Sequence, residues 1–279
     1  FGAGLVSVVA PANAVLFAGS TGIGDPAVGN SSLDRLCFLI IHNTANDASA
    51  KNEIAYMHSN NNKVSFHFAV DDVEIIQGIA LDRNSYHAGD GRYGKGNRQG
   101  ISIEICYSKS GGERWLTAVK NAAILTAKLL KDYGWGIDKV TKHQDYNGKH
   151  CPHRILDEYG WDNFLNLVKT YLSLAEKSAN AVLEWQRAAI ADGFVFAKYG
   201  ADGKWGNECE SVAKNAVCKK RITYKYKNLT KIVQRAVGVT IDGKFGNDTK
   251  NAVIKFQKLF GLAPDGCVGL ETWKKILSV

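Results

Sequence analysis

At 279 residues, 45% of them hydrophobic and with no low-complexity tract, the chain exceeds one typical domain and can bury two or three cores. No apolar run reaches the roughly 18 residues that a membrane span needs. The net charge of +8 suits an acidic partner such as nucleic acid, an anionic membrane or a wall bearing teichoic acid. The basic residues read as dispersed and no nucleic-acid-binding motif occurs, which disfavours the first of these.

The chain opens on Phe1 and reads as a fragment or processed form. Residues 1–33, rich in Gly, Ala and Ser, are expected to be an extension of unknown role. Within them Val6 to Ala14 is similar to the tail of a signal peptide, with Ala12-Asn13-Ala14 as its cleavage-type site, but the basic n-region is missing. Leu36 to Ile41 then run apolar into His42-Asn43-Thr44. That pattern predicts a buried central strand delivering His42 at its end, where α/β sheets place their sites. Ser49 to His58 reads as a short helix with Ile54 and Met57 inward. Val64 to Val70 and Val73 to Ile79 read as a hairpin, with Phe66, Phe68 and Val70 on one face and His67 on the other.

Residues 86–100 form a long glycine-rich polar loop holding Tyr86-His87-Ala88-Gly89, and such loops are often functional. In Ile101 to Cys106 the isoleucines take one face, while Ser102, Glu104 and Cys106 take the other. A carboxylate in mid-strand is costly to bury unless it is paired or used. Glu113 to Tyr133 is predicted as a long helix with Gly134 as its C-cap. The polar stretch Thr141 to Arg154 follows, with three histidines and Cys151. Imidazole and thiolate are ligands that Zn²⁺ prefers, but two such donors cannot hold a metal, so a third comes from elsewhere, and His42 is the best donor. Trp161, Phe164, Leu165, Val168, Tyr171 and Leu172 give a second core helix. Six cysteines in a chain this long do not make a disulfide scaffold, and a reduced, cytoplasmically made protein is the simpler reading.

Helical character drops at residues 175–180, which read as a linker. Beyond it Asp202-Gly203-Lys204-Trp205-Gly206-Asn207 recurs as Asp242-Gly243-Lys244-Phe245-Gly246-Asn247, with a weaker third copy at Asp265-Gly266-Cys267-Val268-Gly269. Gln186-Arg187-Ala188 likewise recurs as Gln234-Arg235-Ala236. Each Asp-Gly supplies a tight turn from which a helix starts.

Four segments come in a familiar order: Ile40-Ile41-His42-Asn43-Thr44-Ala45, Tyr86-His87-Ala88-Gly89, Ile101 to Ile105 and His143-x7-Cys151. Together they resemble the zinc-dependent N-acetylmuramoyl-L-alanine amidases of phage lysins and bacterial autolysins, which share a fold with the peptidoglycan recognition proteins. The resemblance covers roughly residues 34 to 172 and implies an α/β domain, a mixed central sheet flanked by helices, at 34–174. Carried over by position, it implies His42, His143 and Cys151 as Zn²⁺ ligands, Glu104 as proton acceptor, Lys149 as a second catalytic group and His87 as a substrate contact. Phe66 stands where one branch of the family has a catalytic tyrosine, so that role is not carried over. Residues 229–279 resemble a peptidoglycan-binding helical module, and 181–228 look like a diverged first copy, giving small all-helical repeats after the linker.

The implied function is hydrolysis of the amide between N-acetylmuramic acid and L-alanine in bacterial peptidoglycan, by a chain made in the cytoplasm and acting on the wall after release, or secreted as an autolysin. The alternatives are a peptidoglycan-binding protein without catalysis and a zinc peptidase or deacetylase. No nucleic acid or membrane span enters this reading.

Overall fold

The computed structural model describes residues 36–222 and 224–279, which fall into two compact units divided between Ser173 and Leu174. The expected extension at 1–33, with its leader-like segment, lies outside the described residues.

In the first unit the apolar run becomes strand β1 (Phe38–Asn43). Helix α1 (Ala50–Ser59) follows, capped by the Ser49 side chain, which accepts from the Asn52 amide, and it buries Ile54 and Met57. Strands β2 (Phe68–Val70) and β3 (Ile75–Gln77) pair antiparallel. This hairpin is shorter than the sequence predicts: the Phe66 amide points to Met57 Sδ rather than to a ladder partner. The glycine-rich loop contains a short helix, α2 (Lys95–Gln99), before strand β4 (Gly100–Ile105). Helix α3 (Gly112–Tyr133) ends at Gly134, whose φ of 65° is the left-handed cap that glycine adopts freely. A short strand β5 (Val140–Lys142), a single-turn helix α4 (Gln144–Asn147) and the long helix α5 (Trp161–Ala191) complete the order.

The five strands form one sheet in the order β3-β2-β4-β1-β5, with every pair parallel except β2–β3. Leu39, Ile41, Ile101, Ile103 and Ile105 are fully buried and share a core with α3, whose Trp115, Val119, Ala122, Leu125 and Leu129 face it. The mixed α/β sheet flanked by helices is therefore the architecture the sequence implies.

Residues 175–180 are helical, lying within α5. They are Ala, Glu, Lys, Ser, Ala and Asn, none of them helix breakers. What fades there is the apolar stripe, and that stripe reports burial rather than helix.

The second unit adds α6 (Asn207–Asn215), α7 (Lys227–Val237), α8 (Asn247–Leu259) and α9 (Leu270–Leu277). Its residues share one core, from Val182 and Trp185 through Val233 and Phe245 to Trp273. Three glutamines organise the loops. Gln234 Nε2 donates to Asp242 Oδ1 at 2.7 Å and to the Lys244 carbonyl at 3.1 Å, while its Oε1 accepts the Gly243 amide at 2.8 Å. Gln257 repeats this with Asp265, Cys267 and Gly266, and Gln186 with Asp202, Lys204 and Gly203. The third copy, weak in sequence, is geometrically as complete as the second, because the clamp needs only Gln, Asp and Gly. Replacing Gln257, which is 1% exposed, with Ala should cost about 2 kcal/mol or more, since several buried polar groups lose their partner together. Urea denaturation of the full chain would measure this, and a loss well under about 1 kcal/mol would show the clamp to be dispensable.

Candidate metal centre

Parallel pairing sets the site. His42 on β1 is the register partner of Glu104 on β4, so the two side chains stand at one level on neighbouring strands. On the other side of β1, Ile41 pairs with Lys142 of β5, and the His143 amide donates to the Ile41 carbonyl at 3.3 Å. Adjacent parallel strands thus bring His42, Glu104 and His143 to the same edge of the sheet. Cys151 returns to this edge because the Gln144 amide donates to its carbonyl at 3.0 Å. The Cys151–Pro152 peptide is cis.

His42, His143 and Cys151 are all buried, and one donor atom from each lies within 4.8 Å of the others. Cys151 Sγ is 3.9 Å from His42 Nδ1, and Glu104 Oε1 is 3.8 Å from the same nitrogen. Among the described residues, neither ring nitrogen of His143 nor Glu104 Oε2 has a hydrogen-bond partner. Buried polar atoms are rarely left so, and two imidazoles with a thiol form a donor set that suits Zn²⁺. The residues present fit the metal that the sequence implies.

The electrostatics follow from burial. Desolvation holds His42 well below the ordinary imidazole value, helped by the neighbouring His87 and His143 rings and by Lys149. The same effect lowers His143. His42 and Glu104 are therefore a neutral imidazole beside a carboxyl, not an ion pair. Burial pushes Glu104 up to about 8, with the Glu53 carboxylate adding to the rise and Lys149 opposing it. Cys151 is pushed up to about 12 by burial and by Glu104, against the pull of the Asn43 amide, Lys149 and the His153 amide. Lys149 is exposed, yet its charge acts on all four groups.

His87 is 7% exposed, and its Nδ1 lies 3.0 Å from His42 Nε2. It touches a proposed metal ligand. The carbonyls of Gly100 and Gly96 favour a proton on its ring. Asn97 holds the segment by accepting the His87 and Ala88 amides at 2.8 and 2.7 Å. Sequence reasoning missed Asn97: the loop around it was marked as functional, but nothing in the sequence singled out this residue. His67 is fully buried between Ser102, Ser85 and the Arg83 carbonyl, which is a structural role. His150 pairs with Asp157 in the open and takes no part in the cluster.

Fold and site together define an α/β protein with a buried three-donor centre at the carboxyl ends of parallel strands. Comparison with known proteins narrows the class. The family described as N-acetylmuramoyl-L-alanine amidase matches residues 33–154, and a peptidoglycan binding domain matches residues 225–276. N-acetylmuramoyl-L-alanine amidase CwlA of Bacillus subtilis (strain 168) is 41% identical over 240 residues, covering 82% of this chain and 85% of the relative. XlyB of the same organism is 54% identical over 154 residues, but this chain spans only 46% of its length. The solved structure of PlyL superposes with a TM-score of 0.51 at 45% identity, covering 55% of this chain and 96% of that one. The chain belongs to the N-acetylmuramoyl-L-alanine amidase family.

Two outcomes follow from the buried groups. Because the Cys151 thiol is protonated across the neutral range, metal uptake must release its proton. Apparent zinc affinity should then rise about tenfold per pH unit, read by competition with a chromophoric chelator, and Cys151→Ser should remove most of the binding. In metal-stripped protein, Glu104 has a folded value of about 8 against an ordinary 4.5. Its contribution to stability is present below the lower value and is lost as pH rises through the upper one. Denaturation midpoints should fall over that window in the parent and stay flatter in Glu104→Gln.

Proposed function

We propose that this protein hydrolyses the amide joining the lactyl group of N-acetylmuramic acid to L-alanine of the peptidoglycan stem peptide, with His42, His143 and Cys151 holding one Zn²⁺. The convergence of two neutral imidazoles and a thiol beside a half-buried carboxyl carries this reading, and the amidase relatives supply the substrate. Bound there, Zn²⁺ supplies Lewis acidity that polarises a carbonyl and acidifies water.

The protein's own groups do the rest. Burial alone would keep Glu104 protonated, whereas positive charge at the centre and Lys149 favour its ionised form. Its unpartnered Oε2 can then accept the proton of the attacking water. An amine is a poor leaving group until protonated, so the same carboxyl hands that proton to the departing nitrogen. Lys149 presents a cation where negative charge develops on the carbonyl oxygen. His87 positions rather than reacts. His42 turns Nδ1 to the other donors, so its proton belongs on Nε2, and His87 Nδ1 accepts it.

Residues 174–279 serve as the wall anchor, supported by the peptidoglycan binding domain match, with 181–228 and 229–279 as its two repeats. A tethered second site raises the effective concentration of an enzyme on an insoluble polymer. No described helix is long and apolar enough to cross a membrane. Six free thiols support synthesis in a reducing cytoplasm, with release to the wall afterwards.

Glu104→Gln should keep its zinc yet cut release of L-alanine amino termini from soluble muropeptides by about two orders of magnitude. Parent-like rates would assign the proton transfer elsewhere, and release of acetate or of other amines would make the protein a deacetylase or a peptidase. His87→Ala should weaken zinc affinity by about tenfold or more, with His87→Gln recovering part of it through its carbonyl acceptor. Unchanged affinity in both variants would return His87 to substrate contact.

A further inference from the structure

The net charge is not spread evenly. Residues 1–173 carry 17 Lys and Arg against 17 Asp and Glu, whereas residues 174–279 carry 18 against 10. The whole excess of +8 belongs to the helical unit. Within it, Ser211 to Ile241 holds eight Lys and Arg and not one acidic residue. This stretch runs from α6 through the turn at Lys220–Ile222 into α7.

The fold keeps these cations outside. Helix α7 buries Leu229, Ile232 and Val233, while Arg221, Lys225 and Lys227 before and at its start are exposed. Lys227 and Lys231, one turn apart, flank Gly243 of the second clamp loop. Tyr224 stands 73% exposed among them. Acids nearby are already engaged: Glu184 with Arg235 at 2.5 Å, Glu210 with Lys274 at 2.8 Å, and Asp192 with the Asn228 and Leu229 amides. Asp242 is held by Gln234 and by the Lys244 amide.

We infer that this basic stretch is a docking surface for the phosphodiester-linked polyol polymer of the cell wall, a ligand of the teichoic-acid class. The inference rests on the wall-directed reading above. A neutral glycan offers such a surface no charge to meet, and the isolated carboxylates of stem peptides offer little. A polymer with one negative charge per repeat matches a run of cations that contains no acid, through several weak contacts that release counterions. An anionic membrane fits less well, because among the described residues of this stretch only Tyr224 and Ile241 are exposed large hydrophobics, too few for an inserting face.

The test uses the full chain and purified Gram-positive-type walls, either untreated or stripped of phosphodiester polymer with hydrofluoric acid. The parent should bind untreated walls more tightly. Its affinity there should fall by about an order of magnitude between roughly 50 and 200 mM salt, and stripping should abolish that dependence. The combined variant Arg221→Gln, Lys225→Gln, Lys227→Gln should lose about tenfold on untreated walls, bind stripped walls as the parent does, and cleave soluble muropeptides at the parent's rate. Free poly(glycerol phosphate) should displace the parent, a measurement that needs no variant. Equal affinity of the parent for stripped and untreated walls would overturn the inference, as would binding to duplex DNA or anionic vesicles as tight as to the polymer. Amidase activity on soluble muropeptides is scored separately, so failure of docking and failure of the amidase reading are distinguishable.

Discussion

The site depends on the parallel pairing of β4, β1 and β5. In parallel strands the carboxyl ends lie along one edge, and a shared register puts residues of the same rank side by side. His42 and Glu104 are such partners, and His143 follows one residue after the β1–β5 ladder ends. A slip of one residue in β4 would turn Glu104 to the opposite face of the sheet. The register is protected because the same slip would turn Ile101, Ile103 and Ile105 out of the core they share with α3 and bring Glu104 into it. The apolar core of the first unit and the chemistry of its edge are thus consequences of one arrangement.

That arrangement buries polar groups that would be better solvated, and the protein answers by keeping them neutral. His42 and His143 are uncharged, Glu104 and Cys151 hold their protons, and the one cation acting on all four, Lys149, stands exposed. A cation held at the centre of the site would reverse the preference of both acids at once, while the neutral imidazoles would need no change of protonation to act as donors. The His87–His42 contact fits the same logic, since it pairs two neutral rings without introducing charge.

Much of this was legible in the sequence because the relevant signals are local. Five apolar residues before His42 specify a buried strand, and the alternation Ile101-Ser102-Ile103-Glu104-Ile105 specifies which side the carboxyl takes. His87 was visible as a candidate, but its contact with His42 was not. Its contact with His42 spans 45 positions and depends on how the loop folds back onto Asn97. Residues 175–180 misled for a different reason: an exposed helix keeps its hydrogen bonds without an apolar stripe, so periodicity falls silent while the helix continues. The uneven charge was countable from the start, since the linker expected at 175–180 already lay beside the boundary between the units, but the cations read as dispersed until they were counted unit by unit.

The three glutamine clamps show how a repeat persists after its sequence has drifted. In each copy the residue seven positions after the aspartate approaches the glutamine amide: Thr249, Thr272 and, in the first copy, Cys209. A thiol is a weaker acceptor than a hydroxyl, so the first clamp is the poorest in hydrogen bonding. It is also the one with the largest aromatic partner beside its glutamine. Trp185 is fully buried and packs against Phe196, Trp205 and Trp273, with ring centroids 5.2 to 5.9 Å apart. Where polar specification weakens, apolar burial rises, and the Asp-Gly turn stays in place because its geometry requires only those two residues and an amide to receive them. The first copy therefore remains the same device, with Trp185-Gln186 where the others have Val233-Gln234 and Phe256-Gln257.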